Sequence, residues 1–478
     1  MRPLPGGSRA FLAVIALAAA LAFPLAAQDS GVSADTGADS EEDLFGAETV
    51  TETKSDAAAT PQKDFLKYDM VKVGGSASGS LGLTGTWLDP WNAGIDPLKP
   101  DSRRLTPSMS DSIKITAKPS EDFGVNMEFR ASNPFASSSS VLTGATYVAA
   151  GTNPYTSLPY PASVKTTSTS LTLPSIKVWS LYSKFSWKDV VFMSFGKQSL
   201  AWGVSQSFFQ PANDIFALNV VDFSNTGAER EGPIAFKAQY PLPLSMANAY
   251  FYAGVPDTTT LDINDLRVAA KAEGNFGNTE LAAAGYYAYS DHPRAILMGT
   301  TGNGTFNFFG EAVAKWGSER YFLSSPILAA QKADQLWFSG TAGGFYSNTD
   351  WNLTASAAYF YNGEGQSGVT AKEAYAYYYM HQSEIDRAKF GTHYAAASIS
   401  FSELFVDQLS FMVYGVGNIS DRSFIVAPSL TWKFFDYMKA KTGATLSFGP
   451  EGSEYTLMGG GKPSAAFSLS LDLGSGSF

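Results

Sequence analysis

From Gly74 onward apolar and polar residues alternate with a period of two, in segments of about ten residues separated by turn signals. The last segment is the plainest: Ala465, Phe467, Leu469, Leu471 and Leu473 fall on one face, and Ser464, Ala466, Ser468, Ser470 and Asp472 on the other. In the first, Leu81, Leu83 and Trp87 oppose Ser78, Ser80, Thr84 and Thr86, and between the two Phe123, Val125, Met127 and Phe129 alternate with Gly124, Asn126, Glu128 and Arg130. Successive side chains of a strand point to opposite sides, so this period predicts two-faced strands. Seventeen segments qualify: 75–88, 110–119, 122–132, 176–188, 190–198, 231–240, 245–254, 266–275, 278–290, 305–317, 335–347, 350–362, 389–402, 407–417, 422–434, 437–449 and 464–473.

Connections alternate between tight ones, at Pro119-Ser120, Trp187-Lys188, Asn275-Phe276-Gly277 and Phe435-Asp436, and long ones, at 89–109, 133–175, 199–230 and 363–388. Bacterial barrels show this rhythm, with short periplasmic turns and long external loops. Trp87, Trp179, Trp187, Trp316, Trp337, Trp351 and Trp432 stand near strand ends, where interfacial aromatic girdles belong. A soluble sandwich has the same alternation. Its buried face must be apolar, however, whereas the second face here carries Ser, Thr, Asn, Lys and Glu. Only helices and closed sheets survive in hydrocarbon, and closure also removes the free edges on which so many apolar strands would aggregate. The expectation is an all-β fold: a transmembrane antiparallel β-barrel over residues 73–478, with long external loops. Single-chain bacterial barrels close with an even number of strands, so seventeen needs adjusting. Counting 321–325 as a short strand gives 18, the preferred number; assigning 305–317 to an external loop gives 16.

Composition narrows the picture. Tyr and Phe number 23 and 34, charged residues make up 16%, and cysteine is absent, which excludes disulfides, thiolate metal sites and a lipoprotein anchor. Residues 1–27 read as a signal peptide, with Arg2 and Arg9 ahead of an apolar run that ends in Ala26-Ala27. Residues 28–72 read as an acidic, flexible periplasmic linker too poor in large apolar residues to order itself. Within it, the lone apolar pair Leu44-Phe45 reads as part of a solvated tail, with a docking motif for a periplasmic partner as the alternative. The segment resembles the acidic post-signal stretches of spirochaetal outer-membrane proteins. A net charge of −11 argues against a nucleic-acid partner.

Strand phase assigns a set of charges to the lumen: Lys114, Lys118, Arg130, Lys184, Lys237, Arg267, Lys271, Lys315, Lys433, Lys439 and Lys441 against Glu128, Glu273, Glu280, Glu311 and Asp472. The basic excess, opposite in sign to the whole chain, leaves two readings open: a lumen that favours anionic solutes, or Lys and Arg near strand ends that only snorkel to headgroups.

The most distinctive stretch, 180–216, contains Gly196-Lys197-Gln198, Ala201-Trp202-Gly203 and Pro211-Ala212-Asn213-Asp214, with Arg230-Glu231-Gly232-Pro233 beyond it. This stretch resembles a recurring element of substrate-specific Gram-negative outer-membrane channels, a porin-like family, in which a strand ending in Gly-Lys/Arg-Gln leads to a Trp-Gly turn and a Pro-x-x-Asp loop. The resemblance implies that Trp202, Pro211, Asn213 and Asp214 belong to a loop that folds inward and narrows a pore. The plainer alternative is that they only shape a hairpin and its external loop. Lys197, in phase with Val191, Met193 and Phe195, is expected at the membrane rim unless a bulge turns it inward. Phe478 is out of phase with Phe467 to Leu473, which a bulge at Gly474 or Gly476 would correct.

The leading functional expectation is a porin-like channel in the outer membrane for passive diffusion of small polar or anionic solutes. It needs no cofactor, metal or catalytic residue. The alternative is an adhesin or structural barrel acting through its loops. A transporter of hydrophobic substrates would need an N-terminal plug, and residues 28–72 are too simple for a folded hatch. A hydrolase would need a paired histidine, but His393 shares the phase of Ala395, Ala397 and Ile399, and His292 and His381 lie in loops. Expected partners are outer-membrane lipid, the barrel-assembly machinery, small solutes and further copies of the chain as a homo-oligomer.

Overall fold

A computed structural model describes residues 66–68, 70–93, 95–96, 99–148, 151–152, 159–160, 163–205, 209–218, 229–243, 246–289, 291–318, 321–325, 328–331, 335–366, 390–435 and 438–477. The signal peptide, almost all of the acidic segment, His381 and Phe478 lie outside these residues.

Eighteen strands form the ring: β1 (Val71–Leu88), β2 (Ser102–Ser120), β3 (Phe123–Val148), β4 (Ser163–Trp187), β5 (Val191–Lys197), β6 (Ile234–Pro241), β7 (Ala247–Val255), β8 (Arg267–Phe276), β9 (Thr279–Ala288), β10 (Arg294–Gly302), β11 (Phe306–Trp316), β12 (Leu336–Asn348), β13 (Leu353–Asn362), β14 (His393–Phe401), β15 (Leu409–Asn418), β16 (Ser423–Phe435), β17 (Met438–Phe448) and β18 (Ser464–Ser477). Each pairs antiparallel with the next. The last pairs with the first, from Leu88↔Ser464 to Ser76↔Ser477, so the sheet is closed. The barrel therefore begins at Val71, two residues before the predicted boundary. A short strand, Leu66–Tyr68, folds back on Val71–Val73. Among the described residues no helix is long and apolar enough to cross a membrane.

The preferred count of eighteen is met, but by a different strand. The missing one is β10, and Tyr321–Ser325 pairs with Leu328–Gln331 in a separate two-stranded sheet. The alternative of sixteen fails because 306–316 is β11, paired on both sides. β10 escapes the period-two rule because both of its faces are apolar in the middle: Leu297 is 61% exposed on the outside while Ile296 and Met298 are buried inside.

The outer face is a row of exposed apolar side chains, including Leu83, Ile113, Phe195, Phe251, Leu281, Leu297, Ile399 and Leu469. On β11 exposed aromatics bracket the strand, Phe306 at the turn end and Trp316 at the loop end. Ten residue steps cover about 34 Å along a strand. At the usual barrel tilt this is about 26 Å along the axis, the height of a transmembrane apolar band. Trp187, Trp351 and Trp432 are likewise exposed at the turn end.

Three of the predicted girdle tryptophans are elsewhere. Trp87 is covered by the 89–101 connection, with its Nε1 donating to the Asp96 carbonyl at 2.7 Å. Trp337 has inward phase, is buried, and stacks on Phe322 at 4.7 Å. Trp179 is the extra residue of a β-bulge between Val178 and Ser180, which turns it under the inward Arg130 guanidinium, 4.0 Å from its ring centre. In β18 three steps from Asp472 to Ser475 face two steps from Ser80 to Ser78, so a one-residue bulge shifts the phase of the strand up to Ser477; Phe478 itself lies outside the described residues.

Candidate pore constriction

The inner face divides into two walls. One, made by β1–β3 and the turn-end halves of β16–β18, is small, polar and open to solvent, whereas the loop end of β16 turns Ile425 and Ala427 into the packed side. Ser76, Ser78 and Ser80 of β1 meet Ser112, Ser110 and Ser108 of β2 through hydroxyl pairs at 2.7, 2.7 and 2.6 Å. Lys114, Thr116, Lys441 and Ser468 are exposed on the same wall. The other wall, centred on β7–β15, has buried inward side chains: Tyr252, Ala269, Ala284, Tyr286, Ile296, Phe309, Phe360 and Tyr394.

The difference is made by the connection between β5 and β6, which folds inside the barrel. Its buried residues Leu200, Trp202, Ala212, Ile215 and Phe216 pack with Tyr252, Tyr286 and Ile296. Trp202 lies 5.3 Å from the Phe216 ring and 5.4 Å from Tyr252, and Phe216 meets Tyr286 edge-on at 5.4 Å. Farther along, Phe209 is fully buried, stacks on Phe360 of β13 at 5.3 Å and reaches Tyr394 of β14. β14 stands nine strands round from β5 in a ring of eighteen, so the connection crosses the lumen to the opposite wall.

Polar groups fix the crossing. The Asn213 side chain accepts from the Trp202 and Gly203 amides at 2.8 and 2.6 Å, and the Trp202 indole donates to the Ala212 carbonyl at 2.7 Å. Glu311 on β11 accepts from the Ser205 and Ala212 amides at 2.7 and 3.1 Å, and Lys271 on β8 donates to the Trp202 carbonyl at 3.2 Å. Position 203 has no room for a side chain, since a Cβ there would lie 2.4 Å from Glu311 Oε1. Arg230 binds Asp214 Oδ1 at 2.7 Å, tying the outgoing arm to the incoming one. Of the four residues implied by the resemblance, Trp202, Asn213 and Asp214 thus hold the crossing together, while Pro211 begins its tight turn.

A second connection, 449–463, also folds inward. Its 3-10 turn Glu454–Gly459 places Tyr455 in the same cluster as Phe209. Glu454 accepts from the Tyr394 hydroxyl and the Asn418 amide at 2.7 Å each, and its own amide donates to Asp421. Burial, with Asp421 nearby, pushes its carboxyl up to about 8, against the pull of these donors.

All the charges assigned to the lumen have inward phase in the ring. They are not one uniform field, because acids from loops and neighbouring strands meet many of the bases. Lys315 pairs with Glu364 at 2.6 Å, Lys271 with Glu273 at 2.8 Å, and Arg130 with Glu128 and Glu229. Lys184 and Lys237 lie over the inward Tyr182 and Tyr250 rings. Arg267 and Glu280 also belong to the packed side, on β8 and β9. Lys433, Lys439 and Lys441 sit with Asp472 on the open wall towards the turn end, as do Lys114 and Lys118. Lys197 lies at the loop-end rim, buried between Glu231 and Asp257. Burial works to raise the Glu231 carboxyl, but Lys177 and Lys197 hold it below its ordinary value. His393 is on the outer face, with Nδ1 2.6 Å from the Tyr359 hydroxyl.

Sequence reasoning missed Phe209, Glu454 and the anchoring role of Glu311. The available signal was aromatic residues in inward phase, at Tyr252, Tyr286, Phe309, Phe360 and Tyr394, where a wetted wall would carry small polar ones.

No family model and no curated protein matches the chain. Among solved structures it is similar to Pseudomonas aeruginosa OccK11 (OpdR), with 10% identity over 85% of this chain and 96% of that one and a TM-score of 0.45. It is similar also to Acinetobacter baumannii OccAB1, at 12% identity over 87% and 99% with a TM-score of 0.44. A mutant of the Rh. blastica porin gives 9% identity over 84% and 100%, with a TM-score of 0.39. At these identities the likeness is one of architecture, and closure of the barrel stands on the strand registers above.

Proposed function

We propose that this chain is a porin-like channel of the outer membrane that passes small polar solutes by passive diffusion, with a preference for anions. The observation that carries the reading is the pairing of a solvated Ser/Thr/Lys wall with a connection folded across the lumen: one leaves a wet path, the other narrows it. The exposed apolar belt supplies the surface for lipid, since such a face is unstable in water. Anion preference is supported by Lys114, Lys433, Lys439 and Lys441 on the solvated side, with Asp472 and Glu128 the inward acids near them.

The test is reconstitution of the folded barrel in planar bilayers. Discrete conductance steps, with a reversal potential of anionic sign in a salt gradient, are the expected result. Folded protein that inserts without conducting would defeat the channel reading and favour the adhesin alternative. That alternative has one observation of its own: β3 and β4, at 26 and 25 residues, far outrun β5, at 7, and project as a hairpin.

A further inference from the structure

The turn-end half of the open wall holds lysines whose charge the fold leaves largely unanswered. Lys433 of β16 stands directly opposite Lys439 of β17, and Lys441 is the next inward residue along β17, opposite Thr431. Directly opposite positions lie about 5 Å apart and alternate residues of a strand about 7 Å apart, so the three stems rise from one patch about 8 Å across. Like charges in such an arrangement repel. On its other flank β17 faces β18, which brings one acid, Asp472 opposite Lys439, and one hydroxyl, Ser470 opposite Lys441. Among the described residues neither Lys439 nor Lys441 forms a salt bridge or a hydrogen bond, with Asp472 or with any other group.

The hydroxyls beside them are uncommitted too. Those of Thr431 and Ser470, which flank Lys441, make no hydrogen bond to another described residue, whereas the serines of β1 and β2 satisfy one another. The cations of the packed side are used differently: Arg130, Arg230 and Arg294 are each tied to a carboxylate of the chain. A guanidinium presents a planar fork that matches the two coplanar oxygens of a carboxylate. An ammonium is a compact point charge with three donors, and several of them can approach a tetrahedral oxyanion from different sides. Three ammoniums with two hydroxyl donors therefore suit a tetrahedral dianion better than a planar monoanion.

We infer that Lys433, Lys439 and Lys441, with the hydroxyls of Thr431 and Ser470, form a binding site for a phosphate group, either free or carried as a monoester by a small solute. The ammoniums supply the charge, the hydroxyls donate to the remaining oxygens, and Asp472 at the edge of the patch repels the anion and keeps it exchangeable, as conduction requires. The place of this site on a solute's route rests on the channel reading; the binding does not.

Two measurements separate the site from its consequence. Detergent-solubilised full-length protein, shown folded by its heat-modifiable migration, is titrated at low salt and about pH 8, where a phosphate ester carries close to two charges, with inorganic phosphate, glycerol phosphate and acetate, and binding is read by calorimetry. Both phosphates should bind at least about tenfold more tightly than acetate, and Lys439→Gln with Lys441→Gln should weaken them by at least about tenfold, as the loss of charge-assisted hydrogen bonds implies. Lys99→Gln with Lys462→Gln removes the same charge from exposed loop-end positions and should leave phosphate binding intact. Acetate bound as tightly as phosphate, or equal weakening by the loop-end pair, overturns the inference. Competition between the two phosphates names the carrier: displacement by glycerol phosphate assigns the ester, and its failure the free ion. In bilayers, phosphate added on the turn side should lower the chloride current of the unaltered barrel and not that of the Lys439→Gln, Lys441→Gln variant. Phosphate binding by a barrel that does not conduct leaves the site intact and sinks the channel; conductance without phosphate binding does the reverse.

Discussion

The two walls of the lumen are built from the same alternation and end in opposite states. On β1, β2 and β18 the inward residues are mostly serines, threonines and lysines, with serine pairs bonding between β1 and β2. On β7–β15 the same positions hold tyrosine, phenylalanine and alanine, which would be out of place in a water-filled tube and are covered by the β5–β6 connection. An inward face reports what it touches, and the touching element here is another part of the chain. Where the wall is polar it is left open; where it is apolar it is a dock.

The largest effect on this contrast should come from Glu311→Ala. The Ser205 and Ala212 amides would lose their acceptor inside a buried contact, at about 1–3 kcal/mol for each unsatisfied donor. The crossing detaches, conductance rises, and protease cuts within 198–218; an unchanged conductance and digestion pattern would show that the packed wall does not depend on this anchor. Phe209→Ala comes next, removing a fully buried ring from the far dock at about 3–5 kcal/mol. The barrel stays closed, while channel recordings become noisy as the tip loosens.

A smaller and reversible effect follows from Glu454. Its docked carboxyl titrates near 8 against an ordinary 4.5, so the docked state holds a proton that the released state gives up. Docking of 449–463 is strongest below 4.5, weakens as pH rises from there to 8, and is constant above. Channel fluctuations should increase across that window, and Glu454→Gln should flatten the profile; a profile unchanged by this substitution would place the titration elsewhere. The smallest structural effect belongs to the open wall. Lys439→Glu with Lys441→Glu touches only a solvated surface, so stability should move within about 0.5 kcal/mol. The reversal potential should nonetheless shift towards cations.

How much of this the chain declares in advance follows the same contrast. The strands of the open wall were legible because each face is uniform, apolar outside and polar inside, as in Phe467-Ser468-Leu469-Ser470. β10 was not, because its inner Ile296 and Met298 are covered by protein and erase the alternation. Trp179 was misplaced by a single inserted residue, since a bulge reverses every face beyond it without altering composition. The crossing was legible in part: Trp202, Asn213 and Asp214 stood out as a motif, but Glu311 is one acid among many until the amides that it receives are located across the ring.

The junction of β1 with β18 carries a consequence for how the molecule is made. Its twelve residue pairs join positions roughly 400 apart in the chain, whereas every other neighbouring pair in the ring is a sequential hairpin. Chain-closure entropy grows only logarithmically, so bringing these ends together costs about 4 kcal/mol more than closing a four-residue turn. A dozen backbone partners exceed that once they zip, but the first of them does not. The seam is therefore the last event of assembly, and until it forms both outermost strands present raw edges to any other polypeptide within reach.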